Sequence, residues 1–380
     1  MRVLFVGAHL AKGGGQAVQT LLLFRALRGM VDRSLYCLDA PGIHREALND
    51  PDIHVVGRLE IPGGLFALAR SIRKSAGEYD VVHVFDPYFG LPASFLARVG
   101  PRVVRFGADP IWDVGWRYNI LASIGYRVGL PVVLMGAHLV TNSRALAERF
   151  RSYPVTVIPN GVDFGRSDRH PSRDSVRERL GIPQDQVVCV FVGKVLRLKR
   201  VEWLLEALRR VPEVHGLIVG GLREEHFGDA YYRELRAGYP DLNERVTFIG
   251  EVRSDQVPEY LAAADVFVLP SRAEGMPNAL LEAMAAGLPC VVSDIPAHRS
   301  IVADRGTGFL VTDPSGLADV LAQLSSDPGL RRRVGRWAQV HVRARFSIER
   351  SAARYVDLYR RVTSKGGSVF TGSASPRSSR

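Results

Sequence analysis

The chain has 380 residues, 46% hydrophobic and 23% charged, a balance that fits soluble globular domains, two at this length, and excludes a disordered or fibrous chain. No stretch reaches about 18 uninterrupted apolar residues, so no membrane span is predicted. Net charge is +11, and residues 1 to 170 hold 20 Lys+Arg against 14 Asp+Glu, which is +6 of that total. A basic first half favours an anionic membrane surface or phosphorylated acceptors. Nucleic acid is not a predicted partner, because no basic stripe is interleaved with aromatics.

The opening M-R-V-L-F-V-G-A-H-L is too short an apolar run for a secretory leader and reads as a first strand. Short apolar runs then alternate with helical patterns, the rhythm of a parallel sheet covered by helices. Strands are predicted at Val3 to Val6, Leu35 to Leu38, His54 to Val56, Val81 to Phe85, Val103 to Arg105, Leu139 to Thr141 and Thr156 to Ile158. After the first strand, H-L-A-K-G-G-G-Q places Gly14 and Gly15 in a loop that opens a helix, the position of a phosphate-approach turn. His83 falls where a strand meets its loop at the carboxyl edge of the sheet, either as a ligand contact or as a satisfied histidine beneath the loop. Asp109 and Trp112 follow in V-V-R-F-G-A-D-P-I-W-D. Trp116 to Met135 is aromatic and aliphatic with only Arg117 and Arg127 charged, which reads as a core helix or as a basic-tipped face for a membrane or lipid-linked acceptor. Asn142 or Ser143 then caps a helix, Pro159 to Gly161 makes a turn, and polar residues from Asp163 to Asp174 form a linker.

The second half opens on a buried strand, Val187 to Val192, a glycine and a cationic loop with Lys194, Arg197 and Lys199. Further strands are predicted at Val214 to Gly220, Val246 to Ile249, Val266 to Leu269 and Val291 to Ser293, with G-T-G-F-L-V-T-D-P closing the sheet. The stretch L-P-S-R-A-E-G-M-P-N-A-L-L-E-A-M-A-A-G-L-P passes from strand to loop to helix, and Gly275, Pro277 and Asn278 announce the first turn. A helix start offers free N–H groups and a positive dipole to an anion. Glu274 and Glu282 bracket it, eight positions apart, about 12 Å if both lay on one helix, so they suit the two ends of an extended ligand. Glu282, two turns in, suits a vicinal diol. Cys37, Cys189 and Cys290 lie in or beside apolar runs with no metal-type spacing, which predicts buried thiols in a reducing compartment and no structural zinc. Helices are expected over Ser315 to Leu324, Gly329 to Phe346 and Ile348 to Val362, and disorder over 364–380.

The string E-G-M-P-N-A-L-L-E-A-M-A-A-G-L-P-C-V-V-S-D resembles the E-x7-E signature of glycosyltransferase family 4. That resemblance implies an α/β GT-B fold, two Rossmann-like doubly wound parallel sheets facing across a cleft. The acceptor domain would cover 1–165 with the helix 348–362, and the donor domain 175–345. It implies a retaining transfer of a hexose from a UDP- or GDP-sugar to a glycan or lipid-linked acceptor, in a cytoplasmic enzyme peripheral at the inner face of the plasma membrane. In the family pattern Lys194 and Lys199 match the two basic positions of G-R-x4-K beside the leaving diphosphate, with Arg197 near them. Gly14 and Gly15 close over that diphosphate, Glu251, Val252 and Arg253 hold the base, and Gly275, Met276, Pro277, Asn278 and Ala279 with Asn160 line the donor. The chain departs from the pattern near Gly107, where many members have a histidine; Asp109 is the nearest polar group for that role. No D-x-D-like pair is present, so no metal or other cofactor is expected. An epimerase on the same fold and a non-catalytic nucleotide- or sugar-binding module are the competing readings.

Overall fold

The computed structural model describes residues 1–7, 10, 15–39, 49–58, 63–107, 120–167, 171–221 and 228–366. The chain divides into two compact units, one of Met1–Ile158 with Ser351–Arg380, the other of Pro159–Arg350. The division falls between Ile158 and Pro159, where the sequence suggested an end at 165. Asn160 to Val162 belong to the second unit, where the Val162 N–H donates to the Phe346 carbonyl at 2.8 Å and Ile348 N–H donates to the Val162 carbonyl at 2.9 Å.

The first unit holds a seven-stranded parallel sheet of β1 (Arg2–Val6), β2 (Asp32–Asp39), β3 (Ile53–Arg58), β4 (Val81–Val84), β5 (Arg102–Phe106), β6 (Ala137–Thr141) and β7 (Val155–Val157). Its order is β3-β2-β1-β4-β5-β6-β7. The second unit repeats the plan with six parallel strands, β8 (Val187–Val192), β9 (Val214–Val219), β10 (Val246–Gly250), β11 (Val266–Leu269), β12 (Cys290–Ser293) and β13 (Phe309–Val311), in the order β10-β9-β8-β11-β12-β13. Central strands such as V-F-V-L at β11 and C-V-V-S at β12 are buried at every position, because helices cover both faces and leave no polar side to alternate. Each order reverses beside its first strand, so the loops after β8 and β11 flank a topological switch point, the place where open α/β sheets take ligands.

His83 lies in β4, paired in register with Phe5 of β1, and no part of it reaches solvent. Its Nδ1 is 2.6 Å from the Tyr359 hydroxyl, and its ring stacks on Tyr355 at 5.1 Å between centroids. Tyr355 and Tyr359 sit one turn apart on the helix Ile348–Gly366. Of the two readings left open for His83, these surroundings are those of a core residue beneath a helix. Burial, with the Arg105 cation adding to it, pushes its pKa down to about 3.

The linker expected over Asp163 to Asp174 is partly helical, with a short turn at Phe164–Ser167 and a helix Arg173–Leu180 capped by the Ser172 hydroxyl. Of the two candidates for the earlier cap, it is Ser143 whose side chain accepts from the Leu146 N–H. The C-terminal helix runs to Gly366, so disorder is not found at 364–366; residues 367–380 lie outside the described part, as do Gly14, Asp109 and Trp112. All three cysteines are free and buried, and burial raises the Cys37 and Cys189 thiols to about 12. Among the described residues no helix is long and apolar enough to cross a membrane.

Candidate functional site

The candidate site is assembled on the carboxyl ends of the second sheet. After β8 the chain turns at Gly193 and runs through Lys194 to a short 3-10 turn, Arg197–Lys199. Arg200 follows with φ 51, left-handed backbone that a non-glycine residue holds only under constraint, and the helix Val201–Arg210 begins at once. After β11, Pro270 to Pro277 lead into the helix Asn278–Ala285. The two loops are tied together, since the Arg272 N–H donates to the Leu198 carbonyl at 2.8 Å.

Lys199 and Glu274, chosen separately from sequence, meet here. The ammonium donates to Glu274 Oε1, with side chains 19% and 11% exposed, and the Ser271 hydroxyl donates to the same oxygen at 2.7 Å. Arg197 instead turns outward, pairing with Glu234 and lying 5.1 Å over the Tyr231 ring. Lys194 is half-buried beside Gly193 in the same loop.

The helix start is presented by Gly275 and Met276 with Pro277 at its N-cap, and no side chain caps it. Asn160 explains the shape of this turn. It is 5% exposed, and its amide donates to the Met276 carbonyl at 3.1 Å and to Asn278 Oδ1 at 2.7 Å. The sequence reading gave Asn160 a direct donor contact; the structure commits its amide to holding the helix tip. Glu282 stands in the second turn of that helix, half-buried, one turn from the half-buried pair of Asn278 and Ala279 on the first turn's surface.

Along the edge on the other side of β8 the backbone is bare. Gly220, with φ +143, donates its N–H to the Gly250 carbonyl at 2.9 Å, and a Cβ there would stand 1.9 Å from the Gly193 oxygen. A Cβ on Gly221 would stand 2.3 Å from that of Glu251. Glu251 is exposed and Val252 half-buried beyond this trough, while Arg253 is engaged with Asp255, its Nε donating at 3.0 Å. Gly15 begins the first helix of the other unit.

Sequence reasoning overlooked Gly220 and Gly221, which a G-G pair directly after an apolar run could have signalled. It also overlooked Ser271, Ser293 and His298, polar residues buried beneath Glu274. Nothing local in the sequence distinguishes those three from surface residues. Among the described residues, no group of three or more His, Cys, Asp or Glu side chains is arranged to hold a metal ion.

Comparison with known proteins bears directly on this arrangement. The pattern described as Glycosyltransferase Family 4 matches residues 13–166, and that described as Glycosyl transferases group 1 matches residues 186–327. A D-inositol 3-phosphate glycosyltransferase of Xylanimonas cellulosilytica is 33% identical over 337 residues, covering 80% of this chain and 79% of that protein. The chain belongs to glycosyltransferase family 4. This glycosyltransferase is also 30% identical, over 69% of its length and 70% of the relative's, to the UDP-Gal:alpha-D-GlcNAc-diphosphoundecaprenol alpha-1,3-galactosyltransferase of Escherichia coli. Its fold is GT-B: it superposes on Anabaena HepE in complex with UDP and glucose with a TM-score of 0.79, 22% identity and coverage of 95% of this chain and 100% of the other. Family membership makes the protein a transferase, which sets aside the epimerase and binding-module readings.

Proposed function

We propose that the enzyme transfers a hexose, with retention, from a UDP-sugar to a glycan or lipid-linked acceptor. The observation that carries this reading is the meeting of Lys199 and Glu274 from two loops at the switch point, next to an uncapped helix start that bears Glu282. In the reaction the bond from the anomeric carbon to the β-phosphate oxygen breaks, and a bond to the acceptor oxygen forms on the same face of the sugar. The acceptor's hydroxyl proton passes to the departing phosphate, and UDP leaves. Negative charge grows on that phosphate, so fixed cations and backbone dipoles that meet it lower the barrier. Lys199 and Lys194 supply the cations and the helix start supplies the dipole. Glu274, released from Lys199 as the diphosphate takes its place, accepts hydrogen bonds from the sugar's hydroxyls, and Glu282 accepts them from the ribose diol. Glu251 and Val252, beyond the glycine trough, lie where the base would rest.

Two relatives support uridine as the base, one named for UDP-galactose and one crystallised with UDP. A thermal-shift screen with UDP-glucose, UDP-galactose, UDP-N-acetylglucosamine and GDP-mannose tests this, since a ligand of the native state raises its melting temperature by mass action. The expected result is stabilisation by UDP and at least one UDP-sugar, lost in Glu282→Ala. Stabilisation by GDP-mannose alone, or by none of them, would overturn the donor assignment.

A lipid-linked acceptor at an anionic membrane is favoured by one surface of the first unit. The helices Gly63–Ser75, Gly90–Leu96 and Ile120–Val133 pack side by side and contain no acidic residue. They expose Phe66, Leu96, Val128 and Val132 together with Arg70, Arg73, Lys74 and Arg127, apolar and cationic groups that suit headgroups and acyl chains at once. Flotation with phosphatidylglycerol vesicles but not with phosphatidylcholine vesicles is the expected result; equal behaviour with both would remove the electrostatic part of the argument.

A further inference from the structure

Glu274 rests on a buried polar chain that the reaction as described does not use. Ser271, Ser293 and His298 are 0%, 2% and 0% exposed. The His298 Nδ1–H donates to the Ser293 carbonyl at 2.8 Å, and the Ser293 hydroxyl donates to the Ser271 carbonyl at 2.5 Å. The Ser271 hydroxyl in turn donates to Glu274 Oε1 at 2.7 Å. The chain ties together the end of β12, the residues after β11 and the short helix Pro296–Arg299, beyond the ladder where β11 and β12 already pair.

Donation from Nδ1 to a carbonyl fixes the tautomer and leaves Nε2 as an acceptor, and among the described residues Nε2 has no partner. A buried acceptor without a donor costs about 1–3 kcal/mol, so an apolar residue would be the better choice if this position were only filler. We propose that His298 is a positioning residue for sugar transfer, gripping the end of β12 so that Ser293 and Ser271 aim the Glu274 carboxylate. The inference rests on the reading that Glu274 contacts the donor sugar. Burial lowers the His298 pKa, the Ser293 carbonyl and Glu274 pull it back up, and Lys199 lowers it again; the balance leaves the ring neutral, as the tautomer requires.

The test compares His298→Leu, which fills the space without a donor, with His298→Asn, whose amide can still reach the Ser293 carbonyl. Turnover is followed with whichever of UDP-glucose, UDP-galactose, UDP-N-acetylglucosamine and GDP-mannose the wild-type enzyme hydrolyses fastest, and UDP affinity and melting temperature are measured alongside. Because misplacement of a catalytic contact by about 1 Å costs up to about 100-fold, Leu is expected to lower kcat by about 10-fold or more with UDP Kd within about twofold, and Asn to restore kcat to within about threefold. In a Glu274→Gln background the Leu substitution should add less than about twofold, since groups acting through one another are not additive. Equal losses in Leu and Asn, a kcat loss that tracks the melting temperature in both, or losses that multiply in the double variant would each overturn the proposal. Failure of the underlying reading looks different: kcat is then unchanged in Glu274→Gln alone, or the wild-type protein turns over none of the four donors, and the inference falls with it.

Discussion

Replacing Lys199 by methionine keeps most of the apolar stem and removes the ammonium, which separates two consequences of the same charge. The first is stability. Exposed ion pairs contribute about 0–1 kcal/mol, whereas removing one partner of a fully buried pair costs about 3–5 kcal/mol. With side chains 19% and 11% exposed, and the Ser271 hydroxyl still on Glu274 at 2.7 Å, the loss should be about 2 kcal/mol. The second is turnover. If the ammonium meets charge that develops on the leaving phosphate, its removal should cost about 100- to 1000-fold in kcat, the range seen when one donor to a developing oxyanion is deleted. Urea unfolding, calorimetric UDP binding and UDP-sugar hydrolysis report the two effects separately. Lys199→Arg should recover the stability and only part of the turnover, because a planar fork does not reproduce a compact point charge. A methionine variant that unfolds more easily by the stated amount yet keeps kcat within about threefold would refute the reasoning, because Lys199 would then be only the counter-ion of Glu274.

Gly220→Ala places a methyl group 1.9 Å from the Gly193 oxygen in backbone that disfavours any side chain, so a loss above about 3 kcal/mol, or insoluble protein, is expected in denaturant titration. Asn160→Leu removes both donors that hold the helix tip and should raise the UDP Kd about 10-fold by calorimetry, with the unmet Met276 carbonyl costing about 1–3 kcal/mol of stability. His83 titrates near 6.5 when unfolded and about 3 when folded, so the unfolded chain binds the extra proton between those values. Its contribution is full above pH 6.5 and falls by up to about 1.4 kcal/mol per pH unit below it; His83→Phe should flatten the slope of unfolding free energy between pH 6.5 and 4.5.

The alternation of short buried runs with helical patterns made both sheets readable before any coordinates, because a strand covered on two faces has to be apolar at every position, as β8 and β11 are. Lys199 and Glu274 were legible as separate members of motifs, each at a strand-to-helix loop. That they pair is not written in either motif, since it depends on β8 and β11 being neighbours in the sheet. The hold of Asn160 on the helix tip was not legible, because its partners lie 116 and 118 positions away. His83 stayed open between two readings for the same reason: a strand end looks like a ligand edge until Tyr355 and Tyr359 arrive from the last helix to cover it. The chain from His298 to Glu274 was invisible, as serine and histidine carry no sign of burial in their own local pattern.

The structure of the enzyme with UDP bound would show whether Lys199 meets the diphosphate. The diphosphate should lie within hydrogen-bonding reach of the Lys199 ammonium at the start of the helix Asn278–Ala285, with the Lys199–Glu274 pair opened and the ribose diol on Glu282. UDP bound away from the β8 and β11 loops, or seated there with Lys199 still paired to Glu274 and no cation on its phosphates, would contradict that placement.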